Sequence, residues 1–246
     1  ATSFWSESFN YPDGGLVAVS GGNWIGHSTS TSSTYIDIQV VSGEAVLTGA
    51  NGQDDSRVFP AQTATAITYA AFVLKIEGTG TSGSCYFAHF KNTGTYYCGH
   101  TYAIVTGATT YNLGISSTST VSATWPTPLT KGIYYNVVIS YNAATGISTL
   151  WVDPVTEAST SVSSVAGYTG TLVSAFALRQ ATFPDKIHVD KIGVGDSFTD
   201  AFLAGFTVPS FELDFFGRVA NLSDAARAQY LATEEARKTV QIALVA

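Results

Sequence analysis

The sequence predicts an all-β fold: two antiparallel sheets packed as a jelly-roll sandwich, with a helical extension at its C-terminus. Three observations predict it. About a dozen short apolar segments alternate with period two and are punctuated by Gly-, Ser- and Thr-rich turns. Almost no stretch before residue 200 repeats apolar residues at helical spacing. The stretch His188-Val-Asp-Lys-Ile-Gly-Val-Gly-Asp-Ser-Phe198 alternates imperfectly and breaks at Gly193 and Gly195, as a last strand running into a turn would.

The elements follow in order. Residues 4–9 alternate as a strand, and residues 11–15 form a turn cluster. Residues 21–34 make a long, hydroxyl-rich loop. Residues 35–40 and 44–47 are two strands joined by the hairpin signal Val41-Ser-Gly43. Residues 51–57 hold the densest acidic loop. Residues 66–77 form a long strand, and 78–83 a flexible turn. Residues 85–91 and 95–98 pair about Asn92-Thr-Gly94. Strands follow at 102–105, 111–115, 133–141, 148–153, 172–180 and 187–194. The sandwich domain is placed at 1–200 and the extension at 201–246.

Composition narrows the function classes. Of 246 residues, 45% are hydrophobic, enough for a sizeable core, but only 12% are charged, about half the usual share. Net charge is -7 with no Lys/Arg cluster, which argues against binding nucleic acid through its phosphates. No apolar run reaches the ~18 residues of a membrane span. The neutral, hydroxyl-rich surface and the absence of Met point to an extracellular or cell-surface, secreted protein, with a virion component as the alternative. Removal of a signal peptide is favoured over simple Met removal before Ala1.

Several segments resemble bacterial secreted concanavalin A-like (laminin-G-like) domains of the lectin and glucanase type. These are Glu7-Ser-Phe-Asn-Tyr-Pro-Asp-Gly-Gly-Leu16 with Trp24, Leu150-Trp-Val-Asp-Pro154, and Ala177-Leu-Arg-Gln180 followed by Val189-Asp-Lys-Ile-Gly-Val-Gly-Asp-Ser-Phe198. The resemblance covers residues 4 to 200. It implies a curved sandwich with a carbohydrate- or protein-binding face. Laminarinase-like hydrolases of that superfamily carry Glu-x-Asp-x-x-Glu on a central strand, where alternation brings two carboxyls onto one face. The nearest match, Glu212-Leu-Asp-Phe-Phe-Gly217, has glycine in the third place and follows the closing strand. The expectation is therefore no catalytic residue and no enzyme.

The remaining candidates are structural or ligand-binding. Asp54 and Asp55 form an oxygen-rich loop with Asn51, and Glu7 and Asp196 approach each other if the first and last strands pair. Because the resembling domains often hold calcium, these four carboxylates are the candidate ligands of a structural Ca2+. The alternative pairs Asp55 with Arg57 or uses it to cap a turn. A hairpin centred between residues 91 and 92 sets Cys85 opposite Cys98, at disulfide distance. Tyr96, Tyr102, Tyr111 and Tyr134 are candidates for a sugar-stacking platform, set against ordinary core and cross-strand packing. The four histidines lack metal-ligand spacing, although His89 and His100 can face each other near the cysteine hairpin. In the extension, Ser223 is an N-cap with Asp224 behind it. Ala225, Ala228, Ala232, Ala236 and Val240 then form a narrow apolar stripe for docking back on the sandwich or for self-association.

Three functions follow. The first is a non-catalytic lectin-like domain binding glycans or surfaces. The second is a self-assembling subunit of a filament, coat or virion. The third is a polysaccharide-degrading enzyme.

Overall fold

The computed structural model describes residues 1–27, 36–48 and 52–206. Its elements, in chain order, are β1 (Ser3–Glu7), β2 (Gly14–Gly15), α1 (Leu16–Val19), β3 (Ile25–Gly26), β4 (Gln39–Val41), β5 (Glu44–Leu47), β6 (Asp55–Val58) and β7 (Ile67–Glu77). There follow β8 (Gly83–Lys91), β9 (Tyr97–Val105), β10 (Thr110–Ser116), β11 (Ala123–Thr124), β12 (Leu129–Thr130), β13 (Tyr135–Asn142) and β14 (Ile147–Val152). The last are β15 (Ser161–Ser163), β16 (Ala175–Leu178), β17 (Lys186–Gly195) and α2 (Phe198–Phe206).

Among the described residues these strands form two antiparallel sheets. The nine-stranded sheet runs β15-β14-β13-β7-β17-β5-β4-β2, with β1 paired on β17. The eight-stranded sheet runs β11-β10-β9-β8-β16-β6-β3, with β12 paired on β10. Alternation aims one set of side chains from each sheet inward. Phe72, Leu74, Val137, Ile139 and Val189 come from the first sheet, and Phe87, Phe90, Leu113, Phe176 and Leu178 from the second; all are fully buried. Each contributes about 1.5–3 kcal/mol by leaving water. Phe176 ties the layers together, 6.1 Å from Phe72 and 5.6 Å from Phe90. No described helix is long and apolar enough to cross a membrane.

Local backbone chemistry explains where the strands turn and shift. Ser42 and Gly43 join β4 to β5 with φ of 52° and 81°, the two positive values that match a two-residue turn to strand twist. Lys191 at φ 51° sits in a register shift between Asp190 and Gly193. That bulge places Val189 and Ile192, three apart, on the same inner face. It also accounts for the imperfect alternation of β17, which is a central strand of its sheet.

The cysteine hairpin departs from the expected register. Residues 95–105, expected as two strands, are continuous in β9 from Tyr97 onward. Gly99 absorbs a bulge at φ 62°, where a Cβ would stand 2.8 Å from the Phe90 ring. The turn spans residues 92–96, so Cys85 faces Ala103 and Cys98 faces Phe90. Five positions along a strand separate the cysteines by roughly 16 Å, far outside disulfide reach. Both are free, buried thiols.

The sandwich extends past residue 200. The compact unit runs through Phe206, and α2 lies on the outer face of the nine-stranded sheet. Phe198 packs against Tyr69 and Trp151, and Phe202 and Phe206 stack behind it. Close approach depends on two glycines. A Cβ on Gly193 would lie 2.1 Å from the Ala201 carbonyl, and one on Gly205 would lie 2.6 Å from the Lys191 carbonyl. The stripe Ala225, Ala228, Ala232, Ala236 and Val240, the cap at Ser223 and the stretch 212–217 lie outside the described residues.

Candidate functional site

The outer face of the eight-stranded sheet gathers residues distant in sequence into three rows. At one end Arg179, just beyond β16, bonds through its backbone N–H to the Phe87 carbonyl and lays its guanidinium 4.1 Å over the Tyr86 ring. Tyr86 faces Tyr102 across the β8–β9 ladder with rings 5.7 Å apart, and Tyr102 donates its hydroxyl to Ser119 O at 2.6 Å. In the middle, His89 stacks on His100 at 5.8 Å and meets His27 edge-on at 5.4 Å. At the far end Ala175, Lys91 and Tyr97 stand side by side. The floor beside the histidines is built from small side chains, Ala177 and Ser56, paired with each other and with His89 and Ile25.

The register decides this gathering. β8 shifts register on both sides of Ala88, so Tyr86 and His89, three apart, share the outer face while Phe87 and Phe90 share the inner one. His27 arrives through the β3–β6 ladder, with its N–H bonded to Asp54 O at 2.9 Å.

The electrostatics are unusual for a sheet face. Both ring nitrogens of His27 and His89, and Nδ1 of His100, are buried without a hydrogen-bond partner among the described residues. Buried polar atoms are normally paired, so five such nitrogens in one patch are costly. Burial holds all three rings neutral. It pushes His27 down to about 4, with Lys91 adding to the effect. It pushes His100 to about 4 as well, although a bond to the Ser116 backbone opposes it. His89, fully enclosed by rings, falls furthest. Tyr102 is pushed up to about 12 by burial, with the neighbouring Tyr86 adding to it. No three His, Cys, Asp or Glu among the described residues are arranged to hold a metal ion.

An open cleft lies beyond Lys91 and Tyr97. Tyr96 and Tyr168 are 55% and 51% exposed, with rings 5.5 Å apart at 73°. They border a space of ≈ 460 Å³ together with Asn92, Thr93, Thr169 and Leu172.

The four candidate sugar-stacking tyrosines are thus separated. Tyr96 lines this cleft, and Tyr102 belongs to the histidine face. Tyr111 is fully buried in the core, because its strand alternation points inward. Tyr134 belongs to the other sheet's surroundings, donating to Glu44 with Lys75 over its ring.

The four candidate calcium ligands are likewise apart. β1 does pair with β17, but Glu7 and Asp196 stand at opposite ends of that ladder. Asp196 accepts Thr2 N–H at 2.6 Å. Glu7 is a buried anchor: it accepts from Phe9 N–H, Tyr11 Oη, Trp24 Nε1 and Arg57 Nη1, all at 2.8–2.9 Å. That set spends its lone pairs on donors and ties Glu7 to Tyr11, Trp24 and Arg57. Asp54 accepts Gln180 N–H at 3.0 Å and lies 3.9 Å from Arg179. Asp55 is fully buried and accepts from Gln53 Nε2 at 2.9 Å. Burial, and then the neighbouring Asp37, push it up to about 8.

Sequence reading could pair His89 with His100. It did not add His27, Tyr86, Tyr97, Lys91 or Arg179, because two bulges and three ladders bring them together. The one signal available was the run of ring and basic residues along β8 and β9, blurred by those bulges.

No family model matches the chain. Among solved structures, a sialidase superposes with a TM-score of 0.50 at 11% identity, over 79% of this chain and 19% of its own. Lectin II from Ulex europaeus gives 0.46 at 12% identity, over 70% and 92%. The fold is the jelly-roll, concanavalin A-like sandwich that the residues suggested. The curated relatives are different. Outer membrane protein OprJ of Pseudomonas aeruginosa is 54% identical over 46 residues, 19% of this chain and 10% of its own. The cation efflux system protein CusC of Escherichia coli is 53% identical over 51 residues, 21% and 11%. The chain therefore spans about a tenth of the length of the curated relatives it matches. These matches overturn the expected location in the extracellular space, at the cell surface or in a virion: the matched proteins are outer membrane proteins and efflux-system components.

Proposed function

We propose that the sandwich is a non-catalytic carbohydrate-binding unit that takes a saccharide in the open cleft between Tyr96 and Tyr168. The observation that carries this reading is that pair of rings, 55% and 51% exposed, on a space of ≈ 460 Å³ also bordered by Asn92, Thr93 and Thr169. Sugar C–H faces pack on aromatic planes, and sugar hydroxyls, which donate and accept at once, suit an amide and threonine hydroxyls. Titration calorimetry against a panel of neutral and acidic oligosaccharides tests it. The expected result is a ligand whose affinity falls about tenfold or more in Tyr96→Ala and is unchanged in Tyr134→Ala beside the other sheet. Binding that is lost in Tyr134→Ala and kept in Tyr96→Ala would overturn the assignment.

A further inference from the structure

We infer that the saccharide in this cleft is uncharged and carries an acetamido group, with its carbonyl on the Asn92 amide and its methyl on Leu172. The inference rests on the reading of the cleft as a sugar site and adds the chemical class.

The cleft offers nothing to an ionised sugar. None of the side chains that border it is charged, although the chain as a whole carries -7. Lys91, the cation next to it in sequence, donates to the Asn92 carbonyl at 3.0 Å and is not part of the lining. A carboxylate or sulfate brought here would give up water without meeting a counter-charge.

Three large apolar side chains, Tyr96, Tyr168 and Leu172, are each half exposed or more and meet at this one space. A lone exposed leucine is ordinary, but a gathered patch in a concave site marks a ligand surface. The two rings already meet edge to face, 5.5 Å apart at 73°, so a sugar ring packs in their corner rather than between them. Leu172 is then left over. A hexose bearing only hydroxyls has no apolar substituent for it, whereas an acetamido group supplies a methyl.

Asn92 selects the other half of that group. Its Oδ1 accepts the N–H of Gly94 at 2.9 Å and of Tyr96 at 3.2 Å, which fixes the orientation of the amide. The acceptor is spent on the turn, and the end left for a ligand is the NH2, a donor only. A carbonyl is an acceptor only and matches it. The acetamide N–H then has a threonine hydroxyl, Thr93 or Thr169, on the same space. The wall carrying Tyr168 is fixed from behind. Tyr141 Oη donates to the Tyr168 carbonyl, and Gly170 N–H donates to the Ala143 carbonyl at 2.7 Å. The corner is thus formed before a ligand arrives.

The test is calorimetry on the whole chain with pairs of sugars that differ only at C2. These are N,N′,N″-triacetylchitotriose against cellotriose and N-acetylgalactosamine against galactose, with trigalacturonate as the charged arm. Wild type is compared with N92D and L172A, each checked for an unchanged thermal transition. N92D keeps an oxygen for the two turn N–H groups and removes the donor. Should it shift the transition, L172A carries the comparison alone. The expected result is that the acetamido member of a pair binds at least about tenfold more tightly than its hydroxyl counterpart. N92D should lower that affinity about tenfold and L172A about fourfold, with the hydroxyl sugars affected less. Hydroxyl sugars bound as tightly as acetamido ones, and lost in Tyr96→Ala, would overturn the acetamido inference and leave the sugar cleft standing. Tighter binding of trigalacturonate would overturn it in the same way. Acetamido binding indifferent to N92D and L172A would overturn the placement on Asn92 and Leu172. No binding of any sugar, or binding indifferent to Tyr96→Ala, would overturn the reading of the cleft itself.

Discussion

The two outer faces of the sandwich treat the same residue types in opposite ways. On the nine-stranded sheet, α2 covers part of the surface with Phe198, Phe202 and Phe206. His188 there stands 2.9 Å from Glu44 and 3.1 Å from Glu77, and Tyr69 donates to Glu157 at 2.6 Å. On the eight-stranded sheet, three histidines are buried with five ring nitrogens unpaired and no helix over them among the described residues. A face that the chain covers itself is satisfied internally. The histidine face leaves ring nitrogens unpaired among the described residues and bears the desolvation cost.

The comparison breaks most visibly under truncation. Phe202→Ala on the covered face should cost about 3–5 kcal/mol in urea unfolding, because Phe202 is 5% exposed between two other rings. Tyr97→Ala, half-buried at the end of the histidine face, should cost only about 1 kcal/mol. Equal losses at the two positions would mean that the eight-stranded face is as much a packing surface as the other.

Acid sharpens the contrast. His27 has a folded pKa of about 4, below its unfolded value near 6.5, so the unfolded chain takes up the proton first. Its contribution to stability is full above about 6.5 and lost as pH falls toward 4. His27→Gln should flatten that acid limb by on the order of 1–2 kcal/mol in denaturation curves taken from pH 7 to 4.

Alkali acts through Asp55, with the opposite sign. Its folded pKa, about 8, lies above its unfolded value, so the folded chain keeps the proton longer. Stability from this group is present below about pH 4 and declines as pH rises toward 8. Asp55→Asn, which carries no proton to lose, should remove that decline. An unchanged slope between pH 5 and 8 would count against the carboxyl pair.

The smallest effect concerns the thiols. Cys98 is fully buried, and burial holds the Cys85 thiol up at about 12, so both should react slowly with disulfide reagents in the native protein. After unfolding without reductant, two thiols should titrate; none would restore the Cys85–Cys98 bridge.

Local pattern determined much of this protein without help from the fold. Period-two alternation marked β7, β13, β14 and β17. Glycine and hydroxyl clusters marked the turns, and Ser42-Gly43 carried the geometry of its own hairpin. These signals are legible because side-chain direction and turn conformation depend on neighbours in sequence. Register does not. The turn at residues 92–96 moved Cys98 away from Cys85, and the bulge at Lys191 brought Ile192 onto the face of Val189. A register slip of one residue sends side chains to the opposite face, and neither the turn length nor the bulge is written in the period-two pattern. The histidine face is further still from the sequence. Tertiary structure alone joined His27, His89, His100 and Arg179, because ladder pairing sets neighbours by hydrogen bonding between strands rather than by distance along the chain.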